Sequence, residues 1–365
     1  MGFSLGIIGL PNVGKSTLFN ALSRSKAEVS NYPFTTINPN VGVVAVPDQR
    51  LDQIQKIMGS TKAIPTVIDF FDIAGLVKGA HKGEGLGNQF LSHIREVDAV
   101  AHVVRCFSAG EIVHVEGEVN PQRDIELIEA ELILADLAAI DKKLEPMRAA
   151  LKAKHKDAEK ILHLLDKLEV TLQQGRPARI LLPAMNSDDQ KLLKEQDLPL
   201  LTLKPVLYVA NVDETGNSQT VETIKKIAES EKAGVVVICA KLEAELAELP
   251  EQEAKDYLKE MGMEVTALHR LIRSGHELLD LITFFTANDK ETRAWTVRQG
   301  TKVLAAAGKV HSDMERGFIA AEVVHYNDLK DSGSYLKARE KGQVHTEGKN
   351  YEVQDGDSIL IKFNV

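Results

Sequence analysis

Several things are scarce in this chain. It has two cysteines, Cys106 and Cys239, in 365 residues. That is too few for a disulfide framework, and both lie in apolar runs (VVRCF and VVVICA) where small thiols are commonly buried. A reducing, cytoplasmic compartment is the expectation. No uninterrupted apolar stretch reaches the ~18 residues that a membrane span needs. The first twenty residues also lack a basic segment followed by a cleavable apolar one, so neither a membrane helix nor a signal peptide is expected. Nor is there a surplus of positive charge: the formal net charge of −9 argues against a surface that grips nucleic acid everywhere, though not against a local basic patch. What is present is ordinary for a folded protein in water. Apolar residues make up 44% and charged residues 27%, which excludes a disordered, collagenous or membrane-embedded chain. At ~150 residues per domain, the length predicts two or three domains.

The first texture alternates apolar runs with helical periods. FSLGIIGL (3–10), VGVVAV (41–46), TVIDFFDI (66–73), AVAHVVRCF (99–107), VLYVANV (206–212) and VVVIC (235–239) read as buried, mostly parallel strands of a doubly wound α/β domain. Its expected extent is 1–120 plus 201–277. Between 121 and 200 the pattern changes: Leu137, Ile140, Leu144, Met147 and Leu151 recur at helical steps, as do Ile161, Leu165, Leu168 and Leu172. An inserted antiparallel helical hairpin is expected, with a turn near Ala153 to Asp157 and a kink or break at Pro146. The last segment, 278–365, shows short strand-like runs (ITFFTA, AWTV, FIAAEVV, YEV, SILIKF) and a helix around Gly300 to Ala307. It predicts a compact domain with a small mixed sheet, in which Phe284, Phe285, Trp295 and Phe318 are core residues.

Gly9 to Thr17, GLPNVGKST, matches the phosphate-loop pattern GxxxxGK[ST] and sits where a strand hands over to a helix. Its glycines let backbone N–H groups turn inward around phosphates at a helix N-terminus. The expected phosphate contacts are Asn12, Val13, Gly14, Lys15, Ser16 and Thr17, with Lys15 as a point charge and the Ser16 hydroxyl on Mg²⁺. Asp72, in the sequence DIAG, ends the third apolar run. A carboxylate there can support the Mg²⁺ shell, and the Gly75 N–H can meet the γ-phosphate. Thr36, or failing that Thr35, lies where a switch loop brings a threonine hydroxyl onto the metal.

NYPFTTINPNVGVV (31–44) together with DIAGLVKGAHKGEGLGNQFLSHIREVDAV (72–100) resembles the Obg family of translation-factor-related P-loop GTPases. NVDE (211–214) and ERGFIAAEVV (315–324) resemble its YchF branch, the Obg-like ATPases, and the likeness runs over almost the whole chain. The resemblance implies a G domain, an inserted coiled-coil hairpin and a C-terminal TGS domain of β-grasp fold. It also implies association with ribosomes, the large subunit included, and ATP preferred over GTP.

The residues bear on base choice too. GTPases read guanine with Asn-Lys-x-Asp, whose final carboxylate accepts two guanine N–H bonds; here the strand end reads Asn211-Val212-Asp213-Glu214. The lysine is absent and the carboxylate is a methylene longer, which weakens the clamp that rejects adenine. Asn211, Val212 and Glu214 are the expected base contacts, with Cys239, Ala240 and Lys241 supplying a second base loop. GTP remains open as a ligand. Leu76 follows DIAG where many GTPases place a water-orienting glutamine, and leucine cannot hydrogen-bond water. Slow hydrolysis of the β–γ phosphoanhydride is therefore expected, with positioning from His114, from His81, from K⁺ held by Asn12, or from the ribosome. Residues 142–156 carry six basic side chains, Lys142, Lys143, Arg148, Lys152, Lys154 and Lys156, against one acid, Glu145. This is either an RNA-contacting patch or a solvated helical face. Two further readings remain: an Obg-type GTPase of ribosome assembly, and a nucleotide-responsive binding protein whose hydrolysis is incidental.

Overall fold

The computed structural model describes residues 2–24, 40–73, 86–108, 118–153, 157–196, 198–216 and 218–364. In chain order its strands are β1 (Phe3–Ile8), β2 (Val41–Ala45), β3 (Lys62–Ile64), β4 (Val67–Asp72), β5 (Ala99–Arg105), β6 (Val206–Asn211), β7 (Gly234–Ile238), β8 (Leu281–Ala287), β9 (Glu291–Arg298), β10 (Phe318–His325), β11 (His345–Glu347) and β12 (Asp357–Phe363). The helices used below are α1 (Lys15–Arg24), α2 (Gln49–Met58), α3 (Leu86–Glu96), α4 (Pro121–Lys152), α5 (Ala158–Gln173), α6 (Ser187–Glu195), α7 (Ser218–Glu231) and α8 (Ala240–Leu246). The chain divides into two compact units, 1–43 with 69–275, and 44–68 with 276–365.

The first sheet runs β2-β4-β1-β5-β6-β7. Every residue of β5 and β6 is buried, as expected of central strands covered on both faces, whereas β2 at the edge alternates between buried and half-buried positions. The β1–β5, β5–β6 and β6–β7 pairs are parallel. Their register sets Arg105 opposite Asn211 and Asn211 opposite Ile238. The carboxyl ends of these strands are thus level, and the loops that follow them emerge along one edge, where ligands of open α/β sheets bind.

Between β5 and β6 the chain makes the expected helical hairpin. Asn120 caps α4 by accepting from the Arg123 N–H, and Pro121 takes the first turn, where its missing N–H costs nothing. Ile140 and Leu144 of α4 pack with Ile161, Leu165, Leu168 and Leu172 of α5 in one buried cluster. The expected break at Pro146 does not occur: α4 is assigned as one helix of 32 residues. Proline removes a single backbone bond, and the apolar stripe continues past it to Met147. The stripe ends earlier than the sequence suggested, since Leu151 is exposed.

The second unit holds a sheet of order β11-β10-β12-β8-β9-β3. A parallel β8–β12 pair is flanked by the antiparallel pairs β8–β9 and β10–β12, the arrangement of a β-grasp domain. Phe284 faces one apolar cluster, with Val303 and Ala306 from the helix Val303–Val310. Its neighbour Phe285 faces the other, with Leu51 and Ile54 of α2. Two departures from expectation lie here. The segment YEV is not a strand: it contributes one isolated bridge, Lys302 to Glu352. Residues 44–68, expected to belong wholly to the N-terminal domain, group with the C-terminal unit, where β3 pairs in parallel with β9. Arg50, in the first turn of α2, fixes this segment further by bonding Asp48 and Asp355.

Candidate nucleotide-binding site

The phosphate loop follows β1 and enters α1. Gly9 and Gly14 adopt φ values of 153° and 99°, which side chains rarely tolerate. A Cβ on Gly9 would lie 2.5 Å from the Val103 carbonyl oxygen, and one on Gly14 would lie 2.3 Å from Asn211 Nδ2. Asn12 also holds a positive φ, 63°. The Lys15 ammonium, largely buried, donates to the carbonyl oxygens of Gly9 (3.0 Å) and Leu10 (2.8 Å). The cation is thereby held inside the loop. Burial lowers the Lys15 pKa while Asp72 pulls it upward. Burial likewise raises the Asp72 pKa, with Lys15 opposing. The two charges are thus near enough to act on each other.

A cavity of about 760 Å³ opens from this loop. Asn12, Gly14, Lys15, Ser16 and Thr17 line it from the phosphate loop and the start of α1, and Val212, Glu214, Cys239, Ala240 and Lys241 from the segments that follow β6 and β7. Sequence motifs some 200 residues apart therefore share one pocket, because β1, β6 and β7 end at the same edge. Cys239, expected to be buried, is only half-buried and lines this cavity, whereas Cys106, just after β5, is buried.

Asn211 joins two of these segments. Its Nδ2 donates to the Val13 carbonyl at 2.8 Å, and its Oδ1 accepts from the Ala240 N–H at 3.0 Å. The residue is 4% exposed, so it acts as a strut between the phosphate loop and the segment that follows β7. Sequence reasoning assigned Asn211 to the base edge and missed this tie. It also missed Phe107, Ser108, Asp213 and Thr215, which line the same cavity. The signal was available: these residues follow β5 and β6, and the rule that placed Asp72 at a strand's carboxyl end applies equally to them. Arg105 sits over the Phe107 ring, 4.5 Å from its centroid, and its Nε donates to the Phe107 carbonyl.

Ser16, which lines the cavity, and Asp72, whose charge acts on Lys15, offer hard oxygen donors. That suits Mg²⁺, which takes one or two protein oxygens and completes its shell with phosphate and water, rather than a dedicated protein cage. Among the described residues no cluster of three or more His, Cys, Asp or Glu could hold a metal on its own. Thr36, Gly75, Leu76, His81 and His114 lie outside the described residues. So do Lys154 and Lys156 of the basic run. Of its other members, Lys142, Arg148 and Lys152 are exposed along α4, whereas Lys143 is half-buried and its ammonium donates to the Gln196 carbonyl at 3.0 Å.

Comparison with known proteins matches this architecture from end to end. The chain is 50% identical to the ribosome-binding ATPase YchF of Bacillus subtilis, with the whole of both chains covered. It belongs to the YchF family. The ribosome-binding ATPase YchF of Haemophilus ducreyi is 47% identical, again over the full length of both. The structure of the Schizosaccharomyces pombe YchF GTPase covers 99% of this chain at 36% identity, with a TM-score of 0.86. Residues 4–128 match a family described as 50S ribosome-binding GTPase. Residues 281–364 match the YchF GTPase C-terminal family, described as a protein of unknown function. This YchF chain therefore has the fold of a P-loop nucleoside triphosphatase, with a helical insertion and a C-terminal sheet domain. Among its described residues no helix is long and apolar enough to cross a membrane.

Proposed function

We propose that this chain is a Mg²⁺-dependent nucleoside triphosphate hydrolase that prefers ATP to GTP and works as a slow switch on ribosomes. The observation that carries the reading is the single cavity joining Lys15 and Ser16 to Val212, Glu214 and Lys241. Its phosphate-loop lining suits a triphosphate, and the segment that follows β6 lacks the Asn-Lys-x-Asp sequence that rejects adenine. The names of the full-length relatives, ribosome-binding ATPases, point the same way.

In this reading the loop amides and Lys15 hold the β- and γ-phosphates. Ser16 and Thr36 would hold Mg²⁺, with Asp72 supporting its shell, and the metal when bound would offset the charge that develops between the β- and γ-phosphates. Gly75 would sense the γ-phosphate. Water attacks the γ-phosphorus, the bond to the β–γ bridging oxygen breaks, and nucleoside diphosphate and phosphate leave. Leu76 offers that water no hydrogen bond, so turnover is slow until His81, His114, K⁺ held by Asn12, or the ribosome supplies positioning. Lys142, Arg148 and Lys152, exposed on α4, with Lys154 and Lys156 beyond its end, form the surface for ribosomal RNA. The large subunit is the expected partner, and the cytoplasm the expected compartment.

Titration of ATP and of GTP with Mg²⁺ into nucleotide-free protein by calorimetry is the decisive test. A tenfold ATP preference, about 1.4 kcal/mol, is expected, and a GTP preference would return the chain to the GTPases proper. Phosphate release measured with and without ribosomes, in K⁺ and in Na⁺, separates a stimulated hydrolase from a nucleotide-responsive binding protein, for which turnover stays at background in all four conditions.

A further inference from the structure

Where the segments that follow β6 and β7 line the cavity, two charged side chains face each other. Lys241 Nζ donates to Glu214 Oε1 at 3.2 Å, and both residues line the cavity. Glu245, one helical turn along α8 from Lys241, lies 3.9 Å from the same ammonium. The bond to Glu214, then the charges of Glu214 and Glu245, raise the Lys241 pKa, so the ammonium is charged at neutral pH. Asp213 Oδ1 accepts instead from the Thr215 N–H and hydroxyl.

Base recognition gives this pair a consequence. A carboxylate that reads guanine must turn inward and accept from two N–H donors. The same carboxylate beside adenine would meet the bare lone pair of N1 and repel it. A lysine that draws the carboxylate to the rim therefore weakens guanine binding and relieves adenine at once, a repulsive element removed for one base and an attractive one withheld from the other. We infer that Lys241 is a positioning residue for base selectivity: by holding Glu214 at the cavity rim it keeps that carboxylate off the purine edge and shifts preference from GTP toward ATP. The inference rests on the ATP-preferring reading above and names a residue that brings the preference about.

The pair is solvent-exposed, with side-chain exposures of 73% for Lys241 and 61% for Glu214, and exposed ion pairs are individually weak. The expected effect is accordingly modest, a two- to fivefold change in the ratio of ATP to GTP affinity. The exposure also makes the substitutions safe for folding.

The experiment is a double-mutant cycle read as the ratio of Kd for GTP to Kd for ATP, measured by calorimetry with Mg²⁺ on wild type, K241Q, E214Q and K241Q/E214Q. K241Q is expected to lower the ratio two- to fivefold, with GTP binding tighter and ATP binding weaker. In the E214Q background the same change at 241 should leave the ratio unmoved, and K241R, which keeps the charge, should restore the wild-type value. A change in packing against the purine would alter both affinities together and leave the ratio alone. An unchanged ratio in K241Q, or an equal drop with and without Glu214, overturns the inference. The wild-type ratio tests the underlying reading separately: a value at or below one refutes ATP preference, while the Glu214-dependent shift still decides the role of Lys241.

Discussion

Asn211 illustrates how one side chain takes on a role that its motif does not announce. With both ends of its amide engaged, by Val13 and by Ala240, it ties the phosphate loop to the segment that follows β7, and the missing Cβ of Gly14 is what lets it approach. Another buried polar residue of this unit sets a pH dependence. His102 on β5 is 3% exposed, with its ring centroid 5.5 Å from that of Tyr208. Burial, then the charges of Arg179 and Lys15, lower its pKa from 6.5 to about 3. In the unfolded chain the imidazole takes up a proton as pH falls below 6.5, while in the folded chain it stays neutral until about 3. Within that window the unfolded state binds the extra proton, so stability falls as pH falls, by about 1.4 kcal/mol per pH unit. Urea unfolding of wild type and H102F at pH 7 and at pH 5 should show the variant gaining about 2 kcal/mol on the wild type between the two conditions. A constant gap would mean that His102 takes up its proton at the same pH in the folded and the unfolded chain.

At the scale of elements, the hairpin is the part whose stability comes most plainly from its own apolar seam. Ile140, Leu144, Leu165 and Leu168 are each under 5% exposed, and the helices were legible because the 3.6-residue period of the sequence runs through long segments. A second tie was not legible. Arg179, in the 3-10 segment Ala178–Ala184 after α5, is 7% exposed and bonds Glu129 of α4 and Glu231 of α7. Burial raises the Glu129 pKa against the pull of Arg179, since one guanidinium serves two carboxylates. Leu168→Ala should cost the hairpin about 2–5 kcal/mol. Hydrogen exchange is expected to speed up across α4 and α5, while the amides of β5 and β6 keep their protection and nucleotide affinity is unchanged. Equal loss of protection throughout the first unit would show instead that hairpin and sheet unfold together.

The whole molecule departs from the linear order of its sequence at one place. Residues 44–68 share their core with residues 276–365, where Leu51 and Ile54 meet Phe285, Ala294, Val324 and Leu329. A chain shortened to 1–275 would lose all four partners, and β3 would lose β9. Limited proteolysis with mass spectrometry should find new cleavages within 44–68 in the shortened protein and none there in the full chain. Absence of new cleavages would mean that α2 finds sufficient burial without the C-terminal unit.

The sequence alone determined the strands of the first sheet, the phosphate loop and the hairpin. Each depends on spacing within one short stretch: β-branched runs, a glycine pattern, a helical period. Tertiary structure decided what depends on residues far apart. It brought Gly14, Asn211 and Ala240 together, placed Phe107 in the cavity, engaged Lys143 with Gln196, and moved 44–68 to the C-terminal core. Such contacts follow from parallel register and sheet order, which bring chain segments separated by tens to hundreds of residues side by side and leave no periodic trace within either one.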